Sequence, residues 1–462
     1  MKIYIDIDKT ICSSLEGMDY SKSAPIENNI KKVNKLYDEG NTIVMWTARG
    51  TMTGINWFEI TMNQLKEWNV KFHELRMGKP AFDILIDDRV LNSVYHWNTE
   101  NLNNILNIEN IKEIQISDNR KIGGDNPCLI IAEIGQNHQG DLNIAKQMIK
   151  MVKDCGADVA KFQKSTLTAK FNKKALERPY TSKNSFGKTY GEHKRFLEFS
   201  ENEFIELKKY AESIGIIFAA SGMDIPAFDF LDKIGCSFFK IGSGDTNNLE
   251  LIEHVAKINK PMILSTGMNN FDSVKKSLDL AHKFNENVCI LQCTSSYPLP
   301  IEQVHLNVIK TYQNEFGHNT IIGYSGHETG LSITLAAVAM GAKVIERHVT
   351  LDKTLKGTDH PASLEPNELK ELCNQIRLIE KAMGSSKKIM QESELACHKK
   401  LGKSIVVRRD IKAGEILKKE YLTVKVSDPK GINPNKLFDI IGKILVKDIN
   451  YDETLEFYHI NL

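Results

Sequence analysis

The chain has 462 residues, which is enough for about three domains and a large buried core. Its 60 Lys and Arg residues balance 59 Asp and Glu residues, and the net charge of +1 gives no field that would favour nucleic acid or an anionic membrane. No apolar run reaches about 18 residues, and the first residues, MKIYIDIDKT, alternate like a strand. The eight cysteines are scattered without a CxxC pair, which favours reduced thiols over disulfides or zinc. The composition predicts a soluble, cytoplasmic protein without nucleic-acid or membrane partners.

Residues 1–98 predict a small parallel α/β domain, because short apolar strands alternate with amphipathic stretches. The strand candidates are Lys2 to Ile7, Thr42 to Thr47 and Phe82 to Asp87. Residues 99–126 are rich in Asn, Ile and Lys and end in KIGGDNP, whose glycines and proline mark a boundary. We interpret residues 99–126 as a linker with at most one short helix.

Residues 127–384 predict a TIM barrel, because eight apolar strand candidates, each followed by a helical pattern, occupy about 255 residues. The candidates are CLIIAEI, DVAKFQ, GIIFAAS, SFFKIGS, PMILSTG, VCILQCTS, TIIGYSG and KVIERHV. About 50 residues separate the second candidate from the third, which is long for a plain connection. This excursion contains the basic, aromatic segment RPYTSKNSFGKTYGEHKR (Arg178 to Arg195) and favours a functional loop.

The last part of the chain predicts a small β-rich domain. Residues 385–400 begin with SSKKIMQESE and are interpreted as a polar linker. Residues 401–462 carry the β-branched runs SIVVRR, LTVKV and KILVKDI, broken by AGE and DPKGINP. Nothing in this segment indicates a catalytic group.

Two aspartates end the first predicted strand. Asp6 and Asp8 lie two residues apart and therefore share a side, where their charges repel unless a cation or a proton is shared. The pattern fits a divalent metal site, but a lone DxD also occurs where a strand merely ends in acidic surface residues. Further polar groups follow the other strands and would converge on the carboxyl edge of a parallel sheet. These groups are Thr47 and Arg49 in WTAR, Lys79 in GKP, and Asp87 with Asp88.

This order of residues resembles the haloacid-dehalogenase-like (HAD) phosphatases over about the first 95 residues. The resemblance implies a small Rossmann-like domain that binds Mg²⁺ and hydrolyses a phosphomonoester. Asp6 would be the nucleophile, Asp8 the general acid and base, Thr47 a phosphate ligand and Lys79 the cation that neutralises the phosphate. The Mg²⁺ ligands implied are Asp6, Asp8, Asp87 and Asp88. Lys9 stands where many relatives have glycine, and no insertion is long enough for a cap domain.

Polar residues end nearly all eight predicted barrel strands, at the face where TIM barrels place their catalytic groups. They are Glu133, Lys161 with Gln163, Ser221, Lys240 with Ser243, Ser265 with Thr266, Thr294 with Tyr297, Ser325 with His327, and Glu346 with His348. Any one of them fits an ordinary polar strand end. Two lysines on apolar strands are costly to bury without anionic partners, which indicates a carboxylate or phosphate substrate.

Two histidines follow the last two barrel strands. His327 and His348 can bind one divalent ion together, with Glu346 on the same strand face as His348. Such a mixed nitrogen and oxygen donor set suits Mn²⁺ or a similar ion. As an isolated pair, the two residues also fit ordinary polar histidines.

Long motifs in residues 127–462 resemble the sialic acid synthase family, and in particular its animal-type branch, the N-acylneuraminate-9-phosphate synthases. They are IAEIGQNHQGD, CGADVAKFQKS, ALERPYTSKNSFGKTYGEHK, FFKIGSGDTNN, LQCTSSYPL, IGYSGHETG and ERHVTLDKTLKGTDHPASLEP. LGKSIVV and VKVSDPKG resemble the antifreeze-like SAF module that follows the barrel in these enzymes. The resemblance implies condensation of phosphoenolpyruvate with an open-chain N-acylmannosamine, which the 9-phosphate branch takes as the 6-phosphate.

The resemblance also implies roles for individual residues. Phosphoenolpyruvate would be held by Lys161, Lys240, Ser243, Ser265 and Ser325, with Ser221 as a further substrate contact. His327 and His348 would bind Mn²⁺ or Mg²⁺ in the barrel. Glu133 and Gln163 would lie near the reacting centre and Tyr297 near the sugar. Asp359 and Glu346, the latter counted among the catalytic residues, would lie near the sugar hydroxyls or the metal-bound water.

The sugar 6-phosphate has no motif of its own. Relatives that use the free sugar carry an arginine in the C-terminal module, whereas the nearest position here is Val426. We therefore expect a phosphate site in the basic insertion, although the segment also fits a solvated loop. The candidates there are Arg178, Lys183, Lys188 and Lys194.

The two resemblances together predict a bifunctional enzyme, in which the barrel makes a nonulosonic acid 9-phosphate and the first domain removes the phosphate. Mannose 6-phosphate as the sugar, with the deaminated acid KDN as product, is an open alternative. So is a first domain that acts on another sugar phosphate or serves only as an interaction module. The family resemblance further implies a domain-swapped homodimer formed through the SAF module.

Overall fold

The computed structural model describes residues 1–13, 19–51, 53–79 and 112–461. The chain forms two compact units, Met1–Met383 and Gly384–Leu462. No helix of the described residues combines the length and the apolar character that a membrane crossing requires.

The N-terminal residues form a parallel sheet of three described strands, in the order β1 (Lys2–Ile5), β2 (Thr42–Trp46) and β3 (Glu74–Arg76). Helices α1 (Glu27–Asp38) and α2 (Phe58–Glu67) connect these strands. The apolar positions of α1, β1 and β2 share one core. Strand β3 was not among the predicted strands, and the predicted strand from Phe82 to Asp87 lies outside the described residues.

The predicted eight-stranded barrel is confirmed. Its strands are β6 (Leu129–Gly135), β7 (Val159–Lys164), β8 (Ile217–Gly222), β9 (Phe239–Ile241), β10 (Met262–Ser265), β11 (Val288–Cys293), β12 (Ile321–Gly326) and β13 (Val344–His348). All neighbours are parallel, and β13 closes on β6 with Val344 opposite Leu129. The surrounding helices, numbered in chain order, are α3 (Leu142–Asp154), α7 (Glu201–Ser213), α8 (Ile225–Lys233), α9 (Leu249–Lys257), α10 (Phe271–His282), α11 (Asn307–Phe316), α12 (Ser332–Ala339) and α13 (Pro366–Met383).

A β-hairpin occupies part of the segment that we predicted to be a linker. Strands β4 (Glu113–Ser117) and β5 (Arg120–Gly123) pair antiparallel. Ile114, Ile116 and Ile122 are buried in a cluster with the inward residues at the start of the barrel strands. The hairpin therefore covers the N-terminal end of the barrel. The sequence EIQIS alternates with period two, which is the signal that distinguishes this strand from a linker.

The excursion between β7 and β8 is helical in large part. It contains α4 (Leu167–Lys170), α5 (Lys173–Glu177) and α6 (Tyr190–Leu197). A capping box between Thr189 and Glu192 starts α6. Helix α6 packs on α4 and α5, so the predicted basic loop is ordered on the side of the barrel where β7 ends.

The C-terminal unit has its own apolar core, which includes Ile405, Val407 and Ile411. Strands β14 (Lys403–Val407) and β15 (Leu422–Val426) pair antiparallel, and α15 (Leu437–Ile440) follows them. Helix α14 (Leu395–Leu401) overlaps the segment predicted to be the second linker.

Candidate active sites

Two lysines and two glutamates form a buried charge cluster at the C-terminal ends of the barrel strands. Lys161 Nζ lies 2.6 Å from Glu133 Oε2 and 3.7 Å from Glu346 Oε2, and its side chain is 2% exposed. Lys240 Nζ lies 3.9 Å from the same Glu346 oxygen. Each lysine also donates to a serine hydroxyl, Lys161 to Ser221 at 2.9 Å and Lys240 to Ser265 at 2.7 Å. The cluster thus offers two cations with hydroxyls beside them, which is a donor set for an anionic ligand.

Burial sets the charge state of this cluster. Burial raises the pKa of Glu133, although Lys161 opposes the shift. Burial alone would lower the pKa of Lys161, but Glu133 and Glu346 outweigh it and raise the value. For Lys240, burial is the larger effect and lowers the pKa, with Glu346 opposing. Lys161 is therefore the more firmly charged of the two lysines.

Further groups complete the mouth of the barrel. Gln163 Nε2 donates to Glu133 Oε1 at 2.9 Å, and Ser325 Oγ lies 3.4 Å from Glu346 Oε1. The backbone N–H of Gly267 donates to Ser243 Oγ at 3.0 Å. A Cβ atom on Gly267 would lie 2.9 Å from that hydroxyl, so only glycine permits this close approach.

His327 and His348 lie together as the sequence suggests, with ring centroids 5.4 Å apart. His327 Nδ1 is 2.9 Å from the carbonyl oxygen of Thr294. This hydrogen bond fixes the orientation of the ring and leaves the other ring nitrogen, Nε2, for a ligand. His348 Nδ1 is buried without a hydrogen-bond partner among the described residues and lies 3.7 Å from Asp359 Oδ2. Burial lowers the pKa of His348 to about 4, so the ring is neutral. Tyr297 packs its ring 4.1 Å from that of His327.

The two rings fit a divalent ion. A neutral imidazole is a good ligand for Mn²⁺-like ions, and Nδ1 of the neutral His348 ring has no hydrogen-bond partner among the described residues, so it is available to bind such an ion. In the described part of the chain no group of three or more His, Cys, Asp or Glu side chains is arranged to hold a metal. An ion held by His327 and His348 would therefore take its remaining ligands from substrate and water, as catalytic sites do.

The basic insertion divides into exposed and enclosed cations. Arg178, Lys183 and Lys188 are exposed, and the Arg178 guanidinium stacks 4.1 Å from the Tyr190 ring centroid. Lys194 is partly buried, and its Nζ donates to Gln136 Oε1 at 2.8 Å.

The second candidate site lies where β1 ends. Asp6 Oδ2 and Lys79 Nζ form an ion pair of 2.7 Å. Asp8 binds Arg49 through two guanidinium nitrogens, at 2.9 Å from Nε and 2.7 Å from Nη2. The two carboxylates therefore each have a cation of their own.

Thr47 and Arg49 act together on Asp8. Thr47 Oγ1 lies 3.3 Å from Asp8 Oδ2 and accepts the backbone N–H of Arg49 at 3.1 Å. The Arg49 side chain is fully buried and also donates to Gln64 Oε1 at 2.7 Å. Lys9 has φ of 60°, in the left-handed region that favours glycine. Asp87 and Asp88, the other predicted Mg²⁺ ligands, lie outside the described residues.

Two residues were missed or left without a role by the sequence reasoning. Arg49 was noted without a function, because it lies in a turn after β2 and only the fold brings its side chain to Asp8. Lys170, at the end of α4, was not considered, because its approach to Lys194 depends on how α4 and α6 pack.

Comparison with known proteins assigns most of the chain to two known domain families. Residues 148–388 match the model of the NeuB family, and residues 402–460 match the SAF domain. Neither of these two models covers residues 1–147. The SAF match confirms the predicted identity of the C-terminal module.

Individual relatives agree with this result. N-acetylneuraminate-9-phosphate synthase of Homo sapiens is 56% identical over 343 residues, which cover 74% of this chain and 95% of the relative. N,N'-diacetyllegionaminic acid synthase of Campylobacter jejuni is 40% identical over 71% of this chain and 98% of the relative. A solved sialic acid synthetase of Leptospira borgpetersenii, in complex with citrate, is 35% identical over 62% of this chain and 95% of its own, with a TM-score of 0.54. The chain belongs to the NeuB family.

Proposed function

We propose that the barrel condenses phosphoenolpyruvate with N-acetylmannosamine 6-phosphate to give N-acetylneuraminate 9-phosphate. The observation that carries this proposal is the buried cluster of Lys161 and Lys240 with serine hydroxyls, beside the pair His327 and His348. The cations suit a small, highly charged acid, and the histidine pair lies at the adjoining strand ends. The 56% identity to the human 9-phosphate synthase supports the choice of the phosphorylated sugar.

In the proposed reaction, C3 of phosphoenolpyruvate forms a bond to the aldehyde carbon, water adds to C2, and the bond between C2 and the phosphate oxygen breaks to release inorganic phosphate. Lys161 and Lys240 hold the acid by its negative groups, with Ser243, Ser265 and Ser325 as hydroxyl partners. Glu133, which Gln163 orients, lies within reach of Lys161 and can take up a proton because it is buried. Mn²⁺ or Mg²⁺ bound by the two histidines would polarise the sugar aldehyde.

We further propose that the first domain is an HAD-type phosphatase that converts the 9-phosphate into the free acid. The support is the convergence of Asp6, Asp8, Thr47 and Lys79 at one sheet edge, with Lys79 Nζ 2.7 Å from Asp6. Asp6 is 37% exposed and can reach a phosphorus atom, whereas Asp8 is held in place by Arg49. Mg²⁺ would offset the charge that repels an attacking carboxylate from a phosphate dianion.

A mass spectrum of the product, with inorganic phosphate counted, tests both proposals. Parent protein and Asp6→Asn are incubated with phosphoenolpyruvate, Mn²⁺, Mg²⁺ and N-acetylmannosamine 6-phosphate. We expect the parent to release two phosphates per sugar and give the free acid, and Asp6→Asn to release one and stop at the 9-phosphate.

Other outcomes show which of the two proposals is wrong. If both proteins stop at the same phosphorylated product, the first domain does not act on it. If only free N-acetylmannosamine reacts, the phosphorylated substrate is wrong. A faster reaction with mannose 6-phosphate would indicate a KDN 9-phosphate synthase.

We also propose that the chain forms a homodimer through the SAF module. This module exposes the apolar side chains Phe438 and Tyr451. Light scattering behind size exclusion, on the full chain and on residues 1–383, tests this. A dimer that persists without the module would contradict it.

A further inference from the structure

Two lysines whose charges act on each other lie at the rim of the barrel mouth. Lys170 ends α4, which follows β7, and Lys194 belongs to α6, which packs on α4. The Lys194 ammonium donates to Gln136, in the loop after β6, and that of Lys170 contacts the Met223 sulfur, after β8. Both ammonium groups are therefore placed where three neighbouring barrel strands end.

The two cations have no carboxylate partner. Neither Lys170 nor Lys194 forms an ion pair within 4.0 Å in the part of the chain that the structure describes. Two of the nearby carboxylates, Glu198 and Asp224, make other contacts, and Asp245 acts on Lys170 electrostatically without an ion pair within 4.0 Å among the described residues. Glu198 binds Lys164 at 2.6 Å, and Asp224 accepts the N–H groups of Thr166 and Ala227 at 2.6 and 2.9 Å. Partly buried ammonium groups that neutral atoms alone contact are costly unless an anion joins them.

The pKa values agree with this picture. Burial and then the positive charge of Lys170 lower the pKa of Lys194 to about 8, while Asp359 and Glu198 oppose the shift. Burial likewise lowers the pKa of Lys170, with Asp245, Asp224 and Glu198 opposing. A dianion between the two ammonium groups would reverse both shifts.

The position of the pair indicates which anion it meets. Asp359 lies 3.7 Å from His348 and acts electrostatically on Lys194, so this carboxylate is near both the histidine pair and Lys194. An open-chain hexose has its aldehyde at one end and its C6 substituent at the other. With the aldehyde at the histidines and the hydroxyls at Asp359, C6 comes to the lysines.

Resting on the proposed synthase function, we infer that Lys170 and Lys194 bind the 6-phosphate of the sugar substrate and select it over the free sugar. The site is separate from the cluster of Lys161 and Lys240, which holds the other substrate. Two ammonium groups match the charge of a phosphate dianion, whereas a free C6 hydroxyl would leave them unpaired. Selection then follows from the loss of both charge pairs with the unphosphorylated sugar.

Steady-state kinetics with N-acetylmannosamine 6-phosphate and with N-acetylmannosamine test the inference. The proteins are the parent, Lys170→Gln, Lys194→Gln and the double variant, at saturating phosphoenolpyruvate and Mn²⁺. Lys174→Gln, an exposed lysine of the same insertion, is the matched control. We expect the double variant to lose about 100-fold or more in kcat/KM for the phosphorylated sugar and less than about threefold for the free sugar. The control should keep the parent's preference.

The outcomes separate this inference from the proposed function. If the parent does not use the phosphorylated sugar, the proposed function fails. If the parent uses it and the variants lose activity equally with both sugars, or lose none, the inference is overturned. Calorimetric binding of phosphoenolpyruvate confirms that each variant is folded. If the double variant fails this check, the preference of Lys194→Gln alone decides, with an expected loss of about tenfold for the phosphorylated sugar only.

Discussion

Strand β7 carries two buried lysines that offer a matched comparison. Lys161 and Lys164 each lie 2.6 Å from a carboxylate, Glu133 and Glu198 respectively. They point to opposite faces of the strand, because they lie three positions apart. We predict that Lys161→Met weakens the binding of phosphoenolpyruvate, and that Lys164→Met does not.

The expected magnitudes follow from the contacts. A hydrogen bond to a charged group contributes about 1.5 to 3 kcal/mol, so losing Lys161 should raise the Kd for phosphoenolpyruvate about 10- to 150-fold. Removing one partner of a buried ion pair costs about 3 to 5 kcal/mol of stability. Both variants should therefore be destabilised. The cost for Lys161→Met lies at the lower end near neutral pH, since Glu133 has a raised pKa and can take a proton.

Isothermal titration calorimetry of phosphoenolpyruvate measures the binding, and differential scanning calorimetry measures the stability. Both variants should melt below the parent, Lys161→Met by the smaller amount, and the two should differ in Kd by at least about tenfold. Equal Kd values would refute the assignment of Lys161 to the ligand. A loss of affinity in Lys164→Met alone would show that the ligand binds on the other face of β7.

Three further predictions use other parts of the structure. Arg49→Lys cannot keep the bidentate bonds to Asp8, so hydrolysis of p-nitrophenyl phosphate should fall about tenfold or more while the synthase rate of the same sample stays unchanged. Gly267→Ala would place a Cβ 2.3 Å from the Ser295 hydroxyl and 2.9 Å from that of Ser243. The KM for phosphoenolpyruvate should therefore rise about tenfold in initial-rate assays. Lys194, with its pKa of about 8, is charged below that pH and neutral above it. A pH profile of kcat/KM should therefore fall above pH 8 for the phosphorylated sugar only, and an equal fall for the free sugar would contradict the role of Lys194.

The barrel was predictable because its strands are buried on both sides and read as short, continuous apolar runs. Val288–Cys293 and Ile321–Gly326, for example, are fully buried. The hairpin from Glu113 to Gly123 was harder to recognise, because it is short and stands in a segment whose Asn and Gly content suggests a boundary. Its three isoleucines are buried only because they pack against the N-terminal end of the barrel, which the local sequence does not show.

The candidate site of the barrel was predictable where its residues lie at the ends of strands. Lys161, Lys240 and the histidine pair converge because parallel strands of a closed barrel end on the same face. The partner of Lys194 could not be read from the sequence, because Lys170 lies 24 positions earlier on another helix. Charge alone did not distinguish Lys194 from the exposed Lys188 either, since burial separates them and depends on tertiary packing.

Both candidate sites pair a cation with a carboxylate of the same domain, and the proposed reactions give the two carboxylates different roles. In the barrel, Glu133 is buried beside Lys161. The raised pKa of Glu133 would allow it to accept a proton when a bound anion forms an ion pair with Lys161 in its place. In the first domain, Asp6 lies 2.7 Å from Lys79, and in the proposed phosphatase reaction it would have to stay charged to attack phosphorus. In that proposal, a proton could not relieve the repulsion between Asp6 and a phosphate dianion without removing the nucleophile, so a divalent ion would have to do so. For this reason the proposed phosphatase step should depend strictly on Mg²⁺, whereas binding of phosphoenolpyruvate in the barrel should take up a proton.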